Sequence, residues 1–208
     1  MKKIIALMLL ICSSSIFAEQ VVTDFKPNFS VGIGLGSNNL NSFQLSGISD
    51  EVKSASFYLT LDYQFDEQWA ARFQLSDICD YCGVSFSEYQ NSIFTEVDYQ
   101  STLYGLDAVY KLPISSDFSL ELTAGILLGD ETVITETCTS NNRGFLGGHC
   151  FPDEPLTNNK TSSTEMAFSI GTNLKYQIFE SWALQLGVSA SNYRQGLTQT
   201  NFSVIYQF

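Results

Sequence analysis

Basic residues are scarce in this sequence, and histidine is scarcer still. The 208 residues include 10 Lys and Arg against 22 Asp and Glu, with one histidine, His149. Proteins that bind nucleic acid use Lys and Arg to neutralise phosphate groups, so an acidic chain argues against such a partner. The composition therefore points away from nucleic-acid binding.

The sequence also lacks an apolar run long enough for a membrane-spanning helix. The run from Ile4 to Cys12 holds nine apolar residues, whereas a spanning helix needs about 20. It follows two lysines and precedes a serine-rich segment ending at Ala18, which is the order of a secretory signal peptide. We predict that residues 1–18 are cleaved and that residues 19–208 form one domain. Loss of Lys2 and Lys3 leaves 8 basic residues against 22 acidic ones, a net charge of −14.

Four cysteines remain after the predicted cleavage. They are Cys79, Cys82, Cys138 and Cys150. An even number in an exported protein suggests disulfides, and of the three possible connectivities we favour the local pairs Cys79–Cys82 and Cys138–Cys150. The Cys79-x-x-Cys82 spacing also fits a redox or zinc site, but no helix follows it and no four-ligand zinc set is evident. We therefore expect structural bridges.

Aromatic residues, β-branched residues and glycine are more prominent than helix formers, and apolar residues fall on every second position. Such alternation is typical of β-strands with one apolar face. The eight strands that we predict are residues 29–36, 57–65, 69–76, 104–112, 118–128, 166–177, 182–191 and 202–208. The fold class is therefore all-β.

The connections between these strands alternate in length. Residues 66–68, 113–117 and 179–181 are predicted tight turns. The predicted connections at the other end are residues 37–54, 77–101, 129–162 and the shorter 192–198. This alternation is expected of a barrel whose short turns face the periplasm and whose longer loops face outward. Alternation continues at Val84, Phe86 and from Ile93 to Tyr99, so those strands are expected to extend beyond the membrane.

Alternation alone does not distinguish a soluble barrel, apolar inside, from a membrane barrel, apolar outside. One face is almost purely aliphatic and aromatic, whereas the other is rich in Gly, Ala, Ser and Thr, which suit the interior of a narrow barrel. Aromatic rings also gather beside the tight turns, as in an interfacial girdle. These rings are Tyr63, Phe65, Trp69, Tyr110, Phe118, Tyr176, Phe179, Trp182, Tyr206 and Phe208. The membrane barrel is therefore favoured.

The face with small residues also carries charges in mid-strand. The predicted lumen charge network consists of Asp62, Arg72, Asp107, Lys111, Glu121 and Lys175. Unpaired buried charges are very costly, so we expect these groups to pair inside a sealed barrel. Hydrocarbon offers no water to satisfy an open sheet edge, so the last strand must bond to the first.

The end of the chain, NFSVIYQF, resembles the C-terminal signal by which bacterial outer-membrane barrels are recognised for assembly. Asn201, Tyr206 and Phe208 fit that signal, and Ser203 replaces its usual glycine. The mature chain as a whole resembles small eight-stranded barrels of the OmpA-like transmembrane class. The resemblance implies an antiparallel up-and-down transmembrane β-barrel in the bacterial outer membrane. It also implies contact with lipid and lipopolysaccharide and assembly by the barrel-assembly machinery. We expect no further periplasmic domain.

The resemblance implies fold more strongly than function, because similar barrels include adhesins, structural proteins, small pores and lipid enzymes. We expect a non-enzymatic role in envelope structure and in recognition of a host or cell-surface ligand through the long loops. A narrow pore lined by the lumen charges is the alternative, although eight strands enclose an interior that side chains roughly fill.

Catalysis and metal binding are weaker hypotheses. A lipid-modifying enzyme would need His149 as a base, and a glycine-rich loop is a poor place to hold the required geometry. Acidic loops could bind Ca²⁺ or Mg²⁺, but their spacing defines no site, and a solvated surface is expected. Those acidic residues are Asp77, Asp80, Glu88, Glu96, Asp98, Asp130, Glu131, Glu136, Asp153 and Glu154, against Arg143 and Lys160. No catalytic, cofactor-binding or metal-binding residue is assigned.

Overall fold

The structure, a computed structural model, describes residues 26–45, 48–78, 85–90, 93–139 and 157–208. Those residues form antiparallel strands and a short 3-10 turn, Tyr193–Gln195. The strands are β1 (Asn28–Leu45), β2 (Ile48–Gln64), β3 (Trp69–Ile78), β4 (Ser85–Gln90), β5 (Ile93–Pro113), β6 (Phe118–Thr139), β7 (Thr157–Phe179), β8 (Trp182–Ser191) and β9 (Leu197–Gln207). In this part of the chain no helix is long and apolar enough to cross a membrane.

Eight of the strands close into a barrel. Pairing of β3 with β5 and of β1 with β9 completes the ring, whereas β4 pairs with β5 alone. The closing register runs from Ser30 opposite Gln207 to Leu40 opposite Leu197. Closure leaves no strand edge open within the ring. The predicted eight-stranded antiparallel barrel is confirmed, and β4 is an addition within a predicted loop.

The two ends of the barrel differ in their connections. At one end, which we call the turn end, the strands are joined by tight turns closed by backbone hydrogen bonds. Phe65 N donates to Trp69 O at 3.2 Å, and Ile114 N donates to Phe118 O at 2.9 Å. At the same end Phe208 N donates to Phe29 O at 2.9 Å, which fixes the last residue beside the first strand. The opposite end is called the loop end.

Strands at the loop end are longer than predicted. β5, β6 and β7 contain 21, 22 and 23 residues, and only residues 46–47 separate β1 from β2. The prediction that residues 37–54 and 129–162 are loops is therefore wrong for much of their length, whereas the predicted strand extension at residues 93–99 is confirmed by β5, and β4 contains the alternating position Phe86. Thr, Val and Ile continue there and favour strands, but the predicted ends were placed where the apolar alternation stops.

Large apolar side chains form a band around the outside of the barrel. Leu35, Leu106 and Phe168 are 70%, 62% and 67% exposed. On β5, β6 and β7 the last apolar row at the loop end is Tyr104, Leu128 and Met166. The next outward row is Thr102, Asp130 and Thr164. From Phe118 to Leu128 the band covers 11 residues of β6, which is the length needed to cross a bilayer as a tilted strand.

Candidate functional site

Aromatic rings pair at the turn end of the barrel. Phe118 and Tyr176 have ring centroids 4.5 Å apart, and Trp69 and Tyr110 have centroids 4.8 Å apart. The predicted assembly residue Tyr206 contacts Trp182 at 5.0 Å and Phe208 at 4.9 Å. Tyr206 and Phe208 thus lie in the girdle.

Asn201, the third predicted assembly residue, faces the lumen instead. Its amide group lies close to Gly187, where an added Cβ would meet the amide groups of both Asn201 and Asn173. The role of Asn201, Tyr206 and Phe208 in assembly stays a prediction.

The middle of the lumen is crossed by an ionic layer, which we define as Asp62, Arg72, Glu121 and Lys175. Arg72 is 2% exposed and binds Asp62 with two bonds, Nε to Oδ1 at 2.7 Å and Nη2 to Oδ2 at 2.8 Å. Nη2 also lies 2.8 Å from Glu121 Oε2 and donates to Gln185 Oε1 at 3.2 Å. The guanidinium therefore joins groups from four strands across the lumen.

The sequence produces this layer through strand register. Asp62 and Arg72 lie directly opposite each other on β2 and β3, which are joined by the tight turn at residues 65–68. Both side chains point inward. Because a buried guanidinium without a partner is very costly, and a planar fork binds a carboxylate with two bonds, the pair is strongly favoured.

Within the layer, Lys175 Nζ is 3.9 Å from Glu121 Oε1. The other two predicted lumen charges, Asp107 and Lys111, lie on either side of the layer, and Lys111 lines a cavity near the turn end. Asp107 lies opposite Arg72 on β5 and accepts a hydrogen bond from Ser169 Oγ at 3.0 Å. The structure thus brings Asp62, Arg72, Glu121 and Lys175 into one network and places Asp107 and Lys111 beside it.

A second barrier, the mouth plug, fills the loop end of the lumen. It consists of the buried residues Leu40, Ile78, Tyr99, Leu103, Leu127, Ala167, Tyr193 and Leu197. Tyr193, from the turn between β8 and β9, is 0% exposed. A Cβ added at Gly129 would overlap the Tyr193 ring, so glycine at that position makes room for it.

Polar groups beside the mouth plug converge on one carboxylate. Glu131 Oε1 accepts hydrogen bonds from Tyr99 OH at 3.0 Å and from Tyr193 OH, and Glu131 Oε2 accepts one from Ser163 Oγ at 3.2 Å. Arg194 Nε lies 2.9 and 3.0 Å from the two oxygens, and its Nη2 also contacts Oε2. We call Tyr99, Glu131, Tyr193 and Arg194 the outer cluster. Glu131 was predicted to lie on a solvated acidic surface; it is 1% exposed, so that prediction is wrong.

The outer cluster lies beyond the last apolar row, because Glu131 is three residues past Leu128 on β6. Burial alone would raise the pKa of Glu131, but hydrogen bonds from Arg194 and Tyr193 outweigh burial and lower that pKa below its usual value. Burial, together with the hydrogen bond to the Glu131 carboxylate, raises the pKa of Tyr193. Its hydrogen bond to Glu131 raises the pKa of Arg194. The cluster is therefore an ionised carboxylate held by a guanidinium and two neutral phenols.

The turn that carries Tyr193 has an unusual backbone. Arg194 and Gln195 have φ of 44° and 69°, and Gly196 has φ of 137°. Two consecutive non-glycine residues in the left-handed region each cost about 1–2 kcal/mol. Sequence reasoning missed this site, and the only local signal was a glycine after two polar residues in a short connection.

Several predicted residues lie outside the part of the chain that the structure describes. These are His149, Cys79, Cys82 and Cys150, together with residues 1–18. The backbone of Cys138 lies in β6 opposite Phe94, and its predicted partner Cys150 is not among the described residues. The disulfides, the signal peptide and the cleavage site stay predictions. Among the residues described, no three His, Cys, Asp or Glu side chains are grouped to hold a metal ion.

Comparison with known proteins gives a family match along nearly the whole chain. The model of the outer membrane protein beta-barrel domain matches residues 4–208. No curated protein matches the sequence at a significant level.

Three solved structures show the same fold at low identity. Ail, the attachment invasion locus protein of Yersinia pestis, in complex with the heparin analogue sucrose octasulfate, is 14% identical with a TM-score of 0.54, covering 88% of this chain and 100% of Ail. Neisserial surface protein A is 13% identical with a TM-score of 0.56, covering 88% and 98% of the two chains. A major outer membrane protein from Thermus thermophilus is 11% identical with a TM-score of 0.56, covering 88% and 100%. At these identities the similarity shows the fold alone.

Proposed function

The chain belongs to the family of outer membrane protein β-barrel domains, and we propose that it is a non-enzymatic surface protein that recognises a cationic partner. In this architecture short turns face the periplasm and the longer connections face outward. The turn end is then periplasmic, the apolar band contacts lipid, and the loop end is presented at the cell surface.

The observation that carries the proposal is an acidic sheet beyond the apolar band. We define this outer sheet as residues 93–103 of β5, 129–139 of β6 and 157–165 of β7, which remain paired across their length. Besides Glu131, which is buried, its sequence contains five acidic residues, of which Glu165 pairs with Arg194, and one basic residue, Lys160. A rigid, negatively charged sheet favours encounter with a positively charged partner and disfavours an anionic one.

One edge of the outer sheet is available for pairing. β8 ends at Ser191, opposite Ser169, so residues 157–168 of β7 pair with β6 alone among the described strands. Asn192 marks the start of this edge, because its Oδ1 accepts a hydrogen bond from Phe168 N at 2.7 Å. An exposed strand edge can accept an extended segment of another protein through main-chain hydrogen bonds.

The charge of the outer sheet disfavours the kind of ligand that is present in the Ail structure. The Ail structure holds a heparin analogue, sucrose octasulfate, and such a sulfated ligand is anionic. A sulfated ligand would meet like charge on the acidic sheet described above. We therefore infer that this protein contributes to adhesion or colonisation through basic protein segments rather than sulfated glycans.

Opposite charge changes on the same sheet test this proposal. Bacteria displaying Asp130→Asn should adhere less to host cells or matrix proteins, whereas Lys160→Gln should adhere equally or more. Both side chains are exposed and lie outside the lumen. Surface display is measured by antibody labelling of intact cells, and the comparison is repeated at high salt, which should weaken adhesion of the parent protein. Unchanged adhesion in both variants, and after trimming residues 136–159 to a short turn, would contradict recognition by the outer sheet.

A narrow pore is the second candidate function. It is supported by a polar cavity between the ionic layer and the mouth plug, lined by Gln74, Asp107, Thr123, Asn173 and Asn201 among others. The ionic layer and the mouth plug block this cavity on both sides, so we expect no stable conductance in planar-bilayer recordings. A steady, sizeable single-channel current would favour the pore instead. Catalysis is the least supported candidate, and unchanged lipid A after His149→Ala is expected.

A further inference from the structure

We propose that the turn between β8 and β9 is a lid over the outward mouth of the lumen, and that the carboxylate of Glu131 is the latch that keeps it closed. The proposal concerns the interior of the barrel and does not depend on the recognition function of the outer sheet.

The turn has the position of a lid. It contacts β1 and β7, the strands on either side of the β8–β9 hairpin, and Tyr193 extends from it into the mouth plug. Ser101 Oγ lies 3.1 Å from Tyr193 OH, so the phenol also reaches β5. The space for the ring exists because residue 129 of β6 is glycine. One inserted aromatic side chain therefore spans from the turn to the far wall of the lumen.

Two carboxylates bind this turn, and only one of them, Glu131, is buried. Glu131 on β6 accepts hydrogen bonds from two consecutive turn residues, Tyr193 and Arg194, and from Tyr99 on β5. A second carboxylate, Glu165 on β7, lies 3.3 Å from Arg194 Nε through its Oε2, and its Oε1 accepts a hydrogen bond from Arg194 N at 3.2 Å. The side chain of Glu131 is fully buried, whereas that of Glu165 is 37% exposed. Hydrogen bonds to a buried charge are stronger than those exposed to solvent, so Glu131 contributes most of the attachment.

The backbone of the closed turn opposes this attachment. Arg194 and Gln195 both occupy the left-handed region, which non-glycine residues disfavour. Opening the turn would relax that conformation and expose Arg194 and the phenols to water. The closed state therefore persists because Glu131 is ionised and bonded. Loss of the charge on Glu131 would remove the attachment that opposes this strain.

Opening would admit solvent to a defined space. Leu127 of the mouth plug borders the polar cavity from the outward side, and Arg72 of the ionic layer borders it from the periplasmic side. Displacement of the lid would expose this cavity to the external medium while the ionic layer still blocks the barrel. The lid thus controls access to a closed vestibule and does not open a channel.

Acid is the condition that should release the latch. The ionisable groups around Glu131 are Arg194 and Tyr193 from the turn, Tyr99 from β5 and Glu165 from β7. β1, β8 and β9 contain no charged residue. Arg194 and the phenols keep their protonation states in mild acid, and Glu165 is partly exposed. Protonation of Glu131 is therefore the event that weakens the attachment.

Solvent access to the cavity tests the proposal. Ser189 lines the cavity, and Ser189→Cys places a thiol there. Ser30 lines the cavity at the turn end, so Ser30→Cys reports access from the periplasmic side with the same thiol chemistry. Each protein is reconstituted in nanodiscs and treated with a small polar methanethiosulfonate. The modified peptide is quantified by mass spectrometry, which separates these positions from the native cysteines. The measured quantity is the rate at position 189 divided by the rate at position 30.

Two matched carboxylate variants are expected to change this ratio by different amounts. Glu131→Gln should raise the ratio by about 10- to 100-fold, because bonds to a buried charge are lost. Glu165→Gln should change it by less than about 3-fold, because that ion pair is partly exposed. An unchanged ratio in Glu131→Gln, or an equal rise in both variants, would overturn the latch. Barrel assembly is checked by heat-dependent mobility on gels.

A pH series provides a second test that does not require the replacement of Glu131. With the native Glu131, the ratio should rise as the pH falls below about 4.3, the usual pKa of a glutamate, because the pKa of Glu131 is lowered in the closed state. The same pH series with Glu131→Gln, in which the latch cannot titrate, accounts for the pH dependence of the two thiols themselves. A flat ratio would overturn the proposal, and so would a rise of the same size in Glu131→Gln.

Discussion

The ionic layer and the outer cluster both close the narrow lumen, and the chemistry of the two is similar. Each uses one arginine held by two carboxylates. Arg72 lies 2.7 Å from Asp62 and 2.8 Å from Glu121, and Arg194 contacts Glu131 and lies 3.3 Å from Glu165. The two differ in what carries the arginine. Arg72 is on a strand and its side chain is 2% exposed, whereas Arg194 is on a strained turn and its side chain is 29% exposed.

This difference determines what each barrier can do. Arg72 can leave Asp62 only if β2 and β3 separate or the side chain crosses the lumen, because the two residues are fixed opposite each other. Arg194 can leave Glu131 by a change in the backbone dihedrals of the short connection between β8 and β9. The ionic layer is therefore part of the scaffold, and the outer cluster is a part that can move. Variants in each region should separate these roles.

The largest effect is expected at the ionic layer. Arg72→Met should leave Asp62 as a buried unpaired charge and Glu121 with only its longer contact to Lys175, and should lower the free energy of unfolding by about 3–5 kcal/mol or prevent assembly. Urea titration in lipid vesicles, followed by gel mobility, measures the change. Arg194→Met is the matched control, and its loss should be smaller because Glu165 is 37% exposed and opening of the turn would let water reach Glu131. Equal losses in the two variants would contradict the contrast between scaffold and moving part.

The contrast also shows what the sequence could reveal. All six lumen charges were placed on the inward face from alternation, because the side chains of a strand have a period of two. Glu131 could not be placed in this way. Its strand continues past the point where apolar residues stop, and its partner Arg194 is 63 residues away on a turn of unusual backbone. Register follows from local pattern, whereas contacts between a turn and a distant strand depend on the closed barrel.

Filling the space opposite Tyr193 should give the next largest effect. Gly129→Val would overlap the Tyr193 ring, so the ring must leave the mouth plug. Overpacking and lost hydrogen bonds together should lower the free energy of unfolding by about 3 kcal/mol. Gly105→Val is the control, because an added Cβ at Gly105 has only ordinary contacts. Urea titration measures the free energy of unfolding of both variants. A smaller loss of that free energy in Gly129→Val than in Gly105→Val would show that the mouth plug is loosely packed.

Acid should weaken the outer cluster by a smaller amount. The pKa of Glu131 is lowered in the folded protein, so its contribution is present above the pKa of an unfolded glutamate. That contribution is lost as the pH falls through the folded pKa. A loss of about 2 kcal/mol is expected from hydrogen bonds to a charged group. The free energy of unfolding is measured by urea titration across pH for the parent and for Glu131→Gln. The two curves should converge in acid, and parallel curves would assign the pH dependence to other carboxylates.

The smallest effect is expected from relief of strain in the turn itself. Gln195 has φ of 69°, a conformation that glycine adopts without steric cost. Gln195→Gly should therefore stabilise the closed turn by up to about 1 kcal/mol, less the extra entropy that glycine gives the unfolded chain. Because the gain belongs to the closed state, modification of a thiol at position 189 should become slower in this variant. Gln185→Gly, in the middle of β8, removes a partner of Arg72 instead and should destabilise the barrel. If Gln195→Gly made the thiol more accessible, the turn would be held closed by rigidity of its backbone rather than by Glu131 against strain.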